Sequence, residues 1–182
     1  SAAPIALAYD SESDRIIMVD DFSGDGGVYS YNYNTDTWTD MSHFPSSADP
    51  VALAYDSESD RMIMVDEGFG YSYDKDVRSY DYNTDTWTDM SHFPSGIAAG
   101  LAYDSESDRI IMVGDPYYGN VVHSYDYNTD TWTTMGDYPS SATPAGLAYD
   151  SESDRIIMVD GYQAHSYDYN TDTWTTMGVN YP

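Results

Sequence analysis

Acidic side chains stand two residues apart at four places in this chain: Asp10, Glu12 and Asp14; Asp56, Glu58 and Asp60; Asp104, Glu106 and Asp108; Asp150, Glu152 and Asp154. Oxygen donors at alternate positions open many calcium-binding loops. The remainder of such a loop is incomplete. No glycine follows at the sixth position, a glutamate stands at the twelfth only in the second group, as Glu67, and Arg15, Arg61, Arg109 and Arg155 abut the last aspartate of each group. The spacing therefore reads first as tight turns in which Asp and Ser side chains bond their own backbone. Calcium is the metal the pattern comes nearest to; no cofactor is expected.

A second set of residues suits recognition rather than catalysis. Phe22, Phe69, Tyr71, Tyr73, Tyr117, Tyr118 and Tyr162 lie in segments that differ from one another in length and composition, and amphipathic rings of this kind suit sugar or protein surfaces. Tyr29, Arg78, His123 and His165 occupy one repeated position, each directly before a Ser-Tyr pair, and join the candidate ligand-binding set. His43 and His92 lie elsewhere, so the two aligned histidines fall short of the three or four ligands that a zinc or copper centre needs. Asp25, Glu67, Asp74, Asp76 and Asp115 occur once each, but nothing marks any of them as a catalytic acid. Gly-x-Ser-x-Gly and phosphate-loop motifs are absent. No catalytic residue and no enzyme activity is expected, with a carbohydrate-active enzyme ranked last among the readings.

The elements that would position these residues follow from repetition. Leu-Ala-Tyr-Asp-Ser-Glu-Ser-Asp-Arg recurs four times, beginning at Leu7, Leu53, Leu101 and Leu147, and Tyr-Asn-Thr-Asp-Thr-Trp-Thr recurs at Tyr33, Tyr82, Tyr127 and Tyr169. Markers spaced 46, 48 and 46 residues apart match propeller blades rather than shorter helical repeats. Each unit holds four short strand-like runs separated by turn signals. The second run, Ile16-Ile17-Met18-Val19 in the first unit, is apolar on both faces and should lie between sheets. The third, with Tyr29, Tyr31 and Tyr33 on one side, reads as more exposed. The predicted fold is all-β, a β-propeller of four-stranded antiparallel blades with four blades per chain. The blades fall at about 4–46, 50–95, 98–140 and 144–182 within one propeller domain. Trp38, Trp87, Trp132 and Trp174 are expected at equivalent, largely buried positions.

In these runs the chain resembles the kelch-repeat propellers, including the blades of galactose-oxidase-like domains. The resemblance rests on an apolar first strand, an Arg-Ile-Ile-Met-Val second strand, and a third strand whose Asp precedes a Trp by six residues. Those pairs are Asp81 and Trp87, Asp126 and Trp132, and Asp168 and Trp174, with Asn32 replacing the Asp before Trp38. It implies a binding or assembly scaffold. Two features depart from the kelch pattern. The two glycines that usually end the second strand are replaced by Asp20-Asp21, Asp66-Glu67, Gly114-Asp115 and Asp160-Gly161, and four blades stand where six or seven are usual. The radical chemistry of galactose oxidase needs a cross-linked Tyr-Cys pair, and this chain has no cysteine. A closed four-bladed monomer, a two-chain eight-bladed ring and an open assembly of many chains all satisfy the repeat count.

Charge narrows the partners. The net formal charge is −26 from 32 acidic and 6 basic residues, of which −15 belongs to the repeated first-to-second and third-to-fourth turns. Such a field repels nucleic acid and anionic membrane surfaces. No run approaches the roughly 18 apolar residues of a membrane span, so no membrane insertion is expected. The start Ser-Ala-Ala-Pro suits the mature end of an exported chain, and the expected location is extracellular or at the cell surface. Expected partners are a protein, a carbohydrate or the chain itself, as a homo-oligomer or filament.

Overall fold

In the computed structural model each repeat is a meander of two linked hairpins, and their tips show why. Asp10 accepts hydrogen bonds through Oδ1 from the backbone N–H groups of Glu12 and Ser13, both at 3.0 Å, and closes an Asx turn. Asp14, at the end of that turn, adopts a left-handed backbone with φ 56°, which Asp tolerates better than most residues. The Tyr9 hydroxyl then donates to Asp14 at 2.9 Å, five residues on. The same Tyr-to-Asp bond closes both tips of every repeat, as in Tyr55 to Asp60 and Tyr80 to Asp85. All eight of these aspartates have φ between 50° and 56°.

The structure describes residues 4–20, 26–44, 50–66, 75–94, 96, 98–139 and 143–179. Among them are sixteen strands. Blade 1 holds β1 (Pro4–Asp10), β2 (Arg15–Asp20), β3 (Val28–Asn32) and β4 (Thr37–Asp40). Blade 2 holds β5 (Pro50–Asp56), β6 (Arg61–Asp66), β7 (Asp76–Asp81) and β8 (Thr86–Asp89). Blade 3 holds β9 (Ala98–Asp104), β10 (Arg109–Gly114), β11 (Val122–Asp126) and β12 (Thr131–Met135), with a 3-10 turn at Pro116–Tyr118. Blade 4 holds β13 (Gly146–Asp150), β14 (Arg155–Val159), β15 (Gln163–Asp168) and β16 (Thr173–Val179). Every sheet runs in sequence order and is antiparallel throughout, giving an all-β propeller fold of four-stranded blades. No helix among the described residues is long and apolar enough to cross a membrane.

Alternation gives each blade two faces. One carries Leu7, Tyr9, Met18, Tyr31 and Trp38 in blade 1, and is called the Leu face here; the other carries Ala6, Ala8, Ile17, Val19 and Val28, the Ala face. The chain divides into two compact units, Ser1–Phe93 and Pro94–Pro182. In the first, Ile17, Val19 and Val28 from the Ala face of blade 1 join Leu53, Met62, Met64 and Tyr80 from the Leu face of blade 2 in one buried cluster. In the second, Ala102, Ile111, Val113 and Val122 of blade 3 meet Ile156, Met158 and Tyr167 of blade 4 in the same way. Gly100 allows this fit, since a Cβ there would lie 2.7 Å from Leu147 Cδ1.

Two expectations from the strand pattern need correction. The third strand is interior rather than exposed: four of the six residues of β7 are buried, and the outer, solvent-facing strand is the fourth, with all of β4 exposed. The tryptophans on that fourth strand are equivalent in register, opposite Tyr31, Tyr80, Tyr125 and Tyr167, but are not largely buried. Trp87, Trp132 and Trp174 are half-buried, while Trp38 is 55% exposed. The difference has a local cause. Phe44, on the segment leaving blade 1, covers the edge of Trp87, and Tyr138, leaving blade 3, covers Trp174.

Candidate functional site

The connections between second and third strands differ most between blades, and blade 3 shows how one is built. Asp115 accepts from the Tyr117 N–H at 2.8 Å and starts the 3-10 turn, which Gly119 ends at φ 110°. The turn holds Tyr117 and Tyr118 outward, 86% and 57% exposed, with ring centroids 5.0 Å apart in an edge-to-face pair. Beneath them Tyr138 is buried and fixed. Its hydroxyl donates to the Gly114 carbonyl at 2.8 Å, and its backbone exchanges two bonds with Asn120, each 3.0 Å. A shallow concavity lined by Asp115, Pro116, Tyr117, Asn120 and Thr143 adjoins the pair. In blade 4, Asp160 accepts from the Tyr162 and Gln163 N–H groups at 2.7 and 2.8 Å and holds Tyr162 69% exposed.

The repeated position before Ser-Tyr proves to be interior. Arg78, His123 and His165 are buried and Tyr29 is half-buried, all on the Leu faces. Arg78 pairs with Asp66 at the end of β6, with Asp76 at 2.8 Å and with Asp89 at 3.1 Å. His165 Nε2 is bonded to Asp160 Oδ2 at 3.0 Å in the corresponding place of blade 4. Thr134 and Thr176 approach the Nδ1 atoms of His123 and His165, both at 3.3 Å. Blade 3 has Gly114 in place of that second-strand acid, and in blade 1 the acid is Asp20, whose Oδ1 accepts from the Gly27 N–H at 3.0 Å. The sequence contained this relation as a pairing of residue types, Asp66 with Arg78 and Asp160 with His165, which reading the third-strand position alone missed. It also held the aromatic-proline steps Phe44-Pro45, Phe93-Pro94 and Tyr138-Pro139, whose rings are all buried. Phe22, Phe69, Tyr71 and Tyr73 lie outside the described residues.

The aspartates among the acidic candidates are engaged within the hairpins, whereas Glu12, Glu58, Glu106 and Glu152 enter those bonds only through their backbone N–H groups. Asp14, Asp60, Asp108 and Asp154 each accept from a Tyr hydroxyl through one oxygen and from Asn34, Asn83, Asn128 or Asn170 through the other, which ties the two tips of a blade together. Asp10, Asp56, Asp104 and Asp150 accept from their own turns. Arg61, Arg109 and Arg155 pair with Asp81, Asp126 and Asp168, each at 2.9 Å. Among the described residues no group of three or more His, Asp or Glu side chains converges as a metal site.

Burial and these hydrogen bonds shift several tyrosines. Burial, reinforced by the bond to Asp85, Asp130 or Asp172, pushes Tyr80, Tyr125 and Tyr167 far above the ordinary phenol range. Tyr138, buried near Asp115 and Asp160, and Tyr149, part-buried and bonded to Asp154, are each pushed up to about 12. At Asp85 desolvation acts upward, but donors from Tyr80 and Ser42 together outweigh it and lower the carboxyl. A raised folded pKa means that the stabilisation is complete below the unfolded value near 10 and is lost as pH climbs past it toward the folded value. Unfolding free energy from urea titrations should therefore fall above pH ~10, each such tyrosine adding about 1.4 kcal/mol per pH unit to the slope. Tyr167→Phe should flatten that slope; an unchanged slope would show that the tyrosines titrate alike in both states.

No protein-family model and no curated protein matches the sequence. Solved structures do match its fold. A structural genomics protein of unknown function from Bacteroides thetaiotaomicron VPI-5482 aligns with a TM-score of 0.71 at 16% identity, over 96% of this chain and 48% of its own. TolB from Acinetobacter baumannii aligns with a TM-score of 0.71 at 15% identity, over 98% of this chain and 44% of its own. The chain thus spans about half the length of these propeller proteins.

Proposed function

We propose that this protein is a non-catalytic, kelch-like binding scaffold whose ligand or partner surface is formed by the connections between second and third strands. The observation that carries the reading is the exposed pair Tyr117 and Tyr118 on a turn braced from below by buried Tyr138. Rigid blades under variable loops are a common way to present a binding surface. Aromatic rings fixed this way offer flat apolar area to a sugar ring or a protein surface with little ordering cost. The described acids that occur once support the same reading, because they already have partners. Asp76 is held by Arg78 and His92, and Asp115 by its own turn.

The test is binding of the wild-type chain and of a Tyr117→Ala/Tyr118→Ala variant to an array of soluble oligosaccharides and to immobilised extracellular proteins. The expected result is a bound probe whose affinity drops at least about tenfold in the double variant, as loss of an aromatic anchor commonly does. Binding that ignores both tyrosines, or turnover of a bound glycan, would overturn the reading.

A further inference from the structure

Two blade faces in this chain are made of residues that pack elsewhere in it, yet they lie open. The Leu face of blade 1 exposes Leu7 by 62%, along with Tyr9, Tyr33 and Trp38. Its counterparts in blade 2, Leu53, Tyr55, Tyr82 and Trp87, all pack in the cluster under the Ala face of blade 1. The Ala face of blade 4 is open in the complementary sense. Gly146 and Ala148 are exposed and Ile157 and Val159 half-buried, while the equivalent Ala102, Ile111 and Val113 of blade 3 are buried beneath blade 4. These blade 4 residues line a shallow apolar groove. Gly146 stands where Gly100 receives Leu147, and nothing lies within 4 Å of a Cβ built on it.

A polar clip repeats the pattern. Where blades pack, the backbone N–H that follows the fourth strand of one blade donates to both carboxylate oxygens of the fourth-strand tip in the next. Ser42 meets Asp85 at 2.9 and 3.1 Å, and Gly136 meets Asp172 at 2.9 Å. Asp36 is the equivalent tip in blade 1, exposed, with the Tyr31 hydroxyl on one oxygen. Gly178 is the equivalent of Gly136 in blade 4, also exposed.

From this we infer that a second copy of this chain is the occupant: the Ala face of blade 4 in one copy packs on the Leu face of blade 1 in the next, with Leu7 seated over Gly146 and the Gly178 N–H on Asp36. No contact of a new kind is required, since the chain makes the same contact within each unit. The contact is head-to-tail, so it closes as a ring or propagates. A ring of two copies has eight blades. The association uses blade faces and not the loops that carry the proposed binding role, so either can fail alone.

Light scattering on the wild-type chain and on Leu7→Arg and Gly146→Arg variants tests this. Both substitutions fall on exposed positions, and unchanged circular dichroism would confirm that each variant folds. The wild type is expected at twice 20.3 kDa or a higher multiple, and each variant at 20.3 kDa. An equimolar mixture should regain a dimer, because one variant keeps an intact blade 4 face and the other an intact blade 1 face. A wild type that stays at 20.3 kDa at its highest soluble concentration overturns the inference. So does association that Leu7→Arg abolishes and Gly146→Arg leaves intact, and so does a mixture that remains monomeric.

Discussion

Arg78→Met should lower the stability of the first unit by about 3–5 kcal/mol, the usual cost of removing one partner from a buried ion pair. The guanidinium is buried among three carboxylates, and Asp66 beside it is fully buried. Without Arg78, that carboxylate must stay charged in a dry site or take up a proton. The substitution should therefore make unfolding more dependent on pH in the acid range, with part of the loss recovered as Asp66 is protonated. Arg78→Met/Asp66→Leu removes both charges and should recover much of the loss, since an apolar pair of similar volume is often as stable as the ion pair it replaces. Urea unfolding of the two variants across pH 4–8 checks this. A single variant as stable as the wild type would show that Asp66 does not depend on Arg78.

The second large effect compares two tyrosines at the same repeat position, with Tyr31 followed by Asn32 and Tyr80 by Asp81 in otherwise matching Ser-Tyr-x-Tyr-Asn-Thr-Asp-Thr-Trp strings. Tyr80 is fully buried, packs against Trp87 in a tilted pair with ring centroids 4.9 Å apart and donates to Asp85, so Tyr80→Ala should cost about 3–5 kcal/mol, as deletion of a buried aromatic ring does. Tyr31 has the same neighbours within its own blade, Trp38 at 4.8 Å and Asp36 at 2.8 Å, but lies on the open Leu face of blade 1. Tyr31→Ala should cost the isolated chain well under half as much, because far less apolar area leaves water there. Thermal or urea melts of both variants measure the contrast. Equal losses would mean that the open face is covered in solution, and would then be expected to depend on protein concentration.

The repeat, the four strands of each blade and the tight tips were legible because they follow from local chemistry. Asp, Ser and Asn close turns on their own backbone, and a Tyr five residues before a left-handed Asp reaches it within one hairpin. The exposure of the third and fourth strands was not legible. Alternation tells which residues share a face; it does not tell which strand lies at the rim, and Tyr29-Ser30-Tyr31 is as compatible with an outer strand as with the interior one it forms. Trp38 shows the same limit. Its sequence context matches that of Trp87, yet among the described residues no aromatic equivalent to Phe44 is placed over it.

The candidate surface was legible only in part. Tyr117, Tyr118 and Tyr162 are displayed as their variable segments suggested, but alignment with Tyr29 made Arg78, His123 and His165 look available when all three are interior. The useful signal lay one strand away. Asp66 ends its second strand and Asp160 directly follows its own, where Arg78 and His165 answer them, and Gly114 leaves that place to a carbonyl that accepts from Tyr138. Comparing units with one another at two positions at once would have placed Arg78 and His165 inside.

The first two strands of the four sheets also share one register, with Leu opposite Met and Tyr opposite Ile or Met in each. Strands so alike are interchangeable in a folding chain. β5 offers β2 nearly the same ladder and side-chain fit as β1 does, and discrimination falls to chain connectivity. The tight first hairpin favours the correct partner because a short loop closes at lower entropic cost than one spanning a whole repeat. Refolding from denaturant should therefore show a fast phase for the hairpins and slower phases in which mispaired blades separate and exchange strands, with exchange between molecules at high concentration.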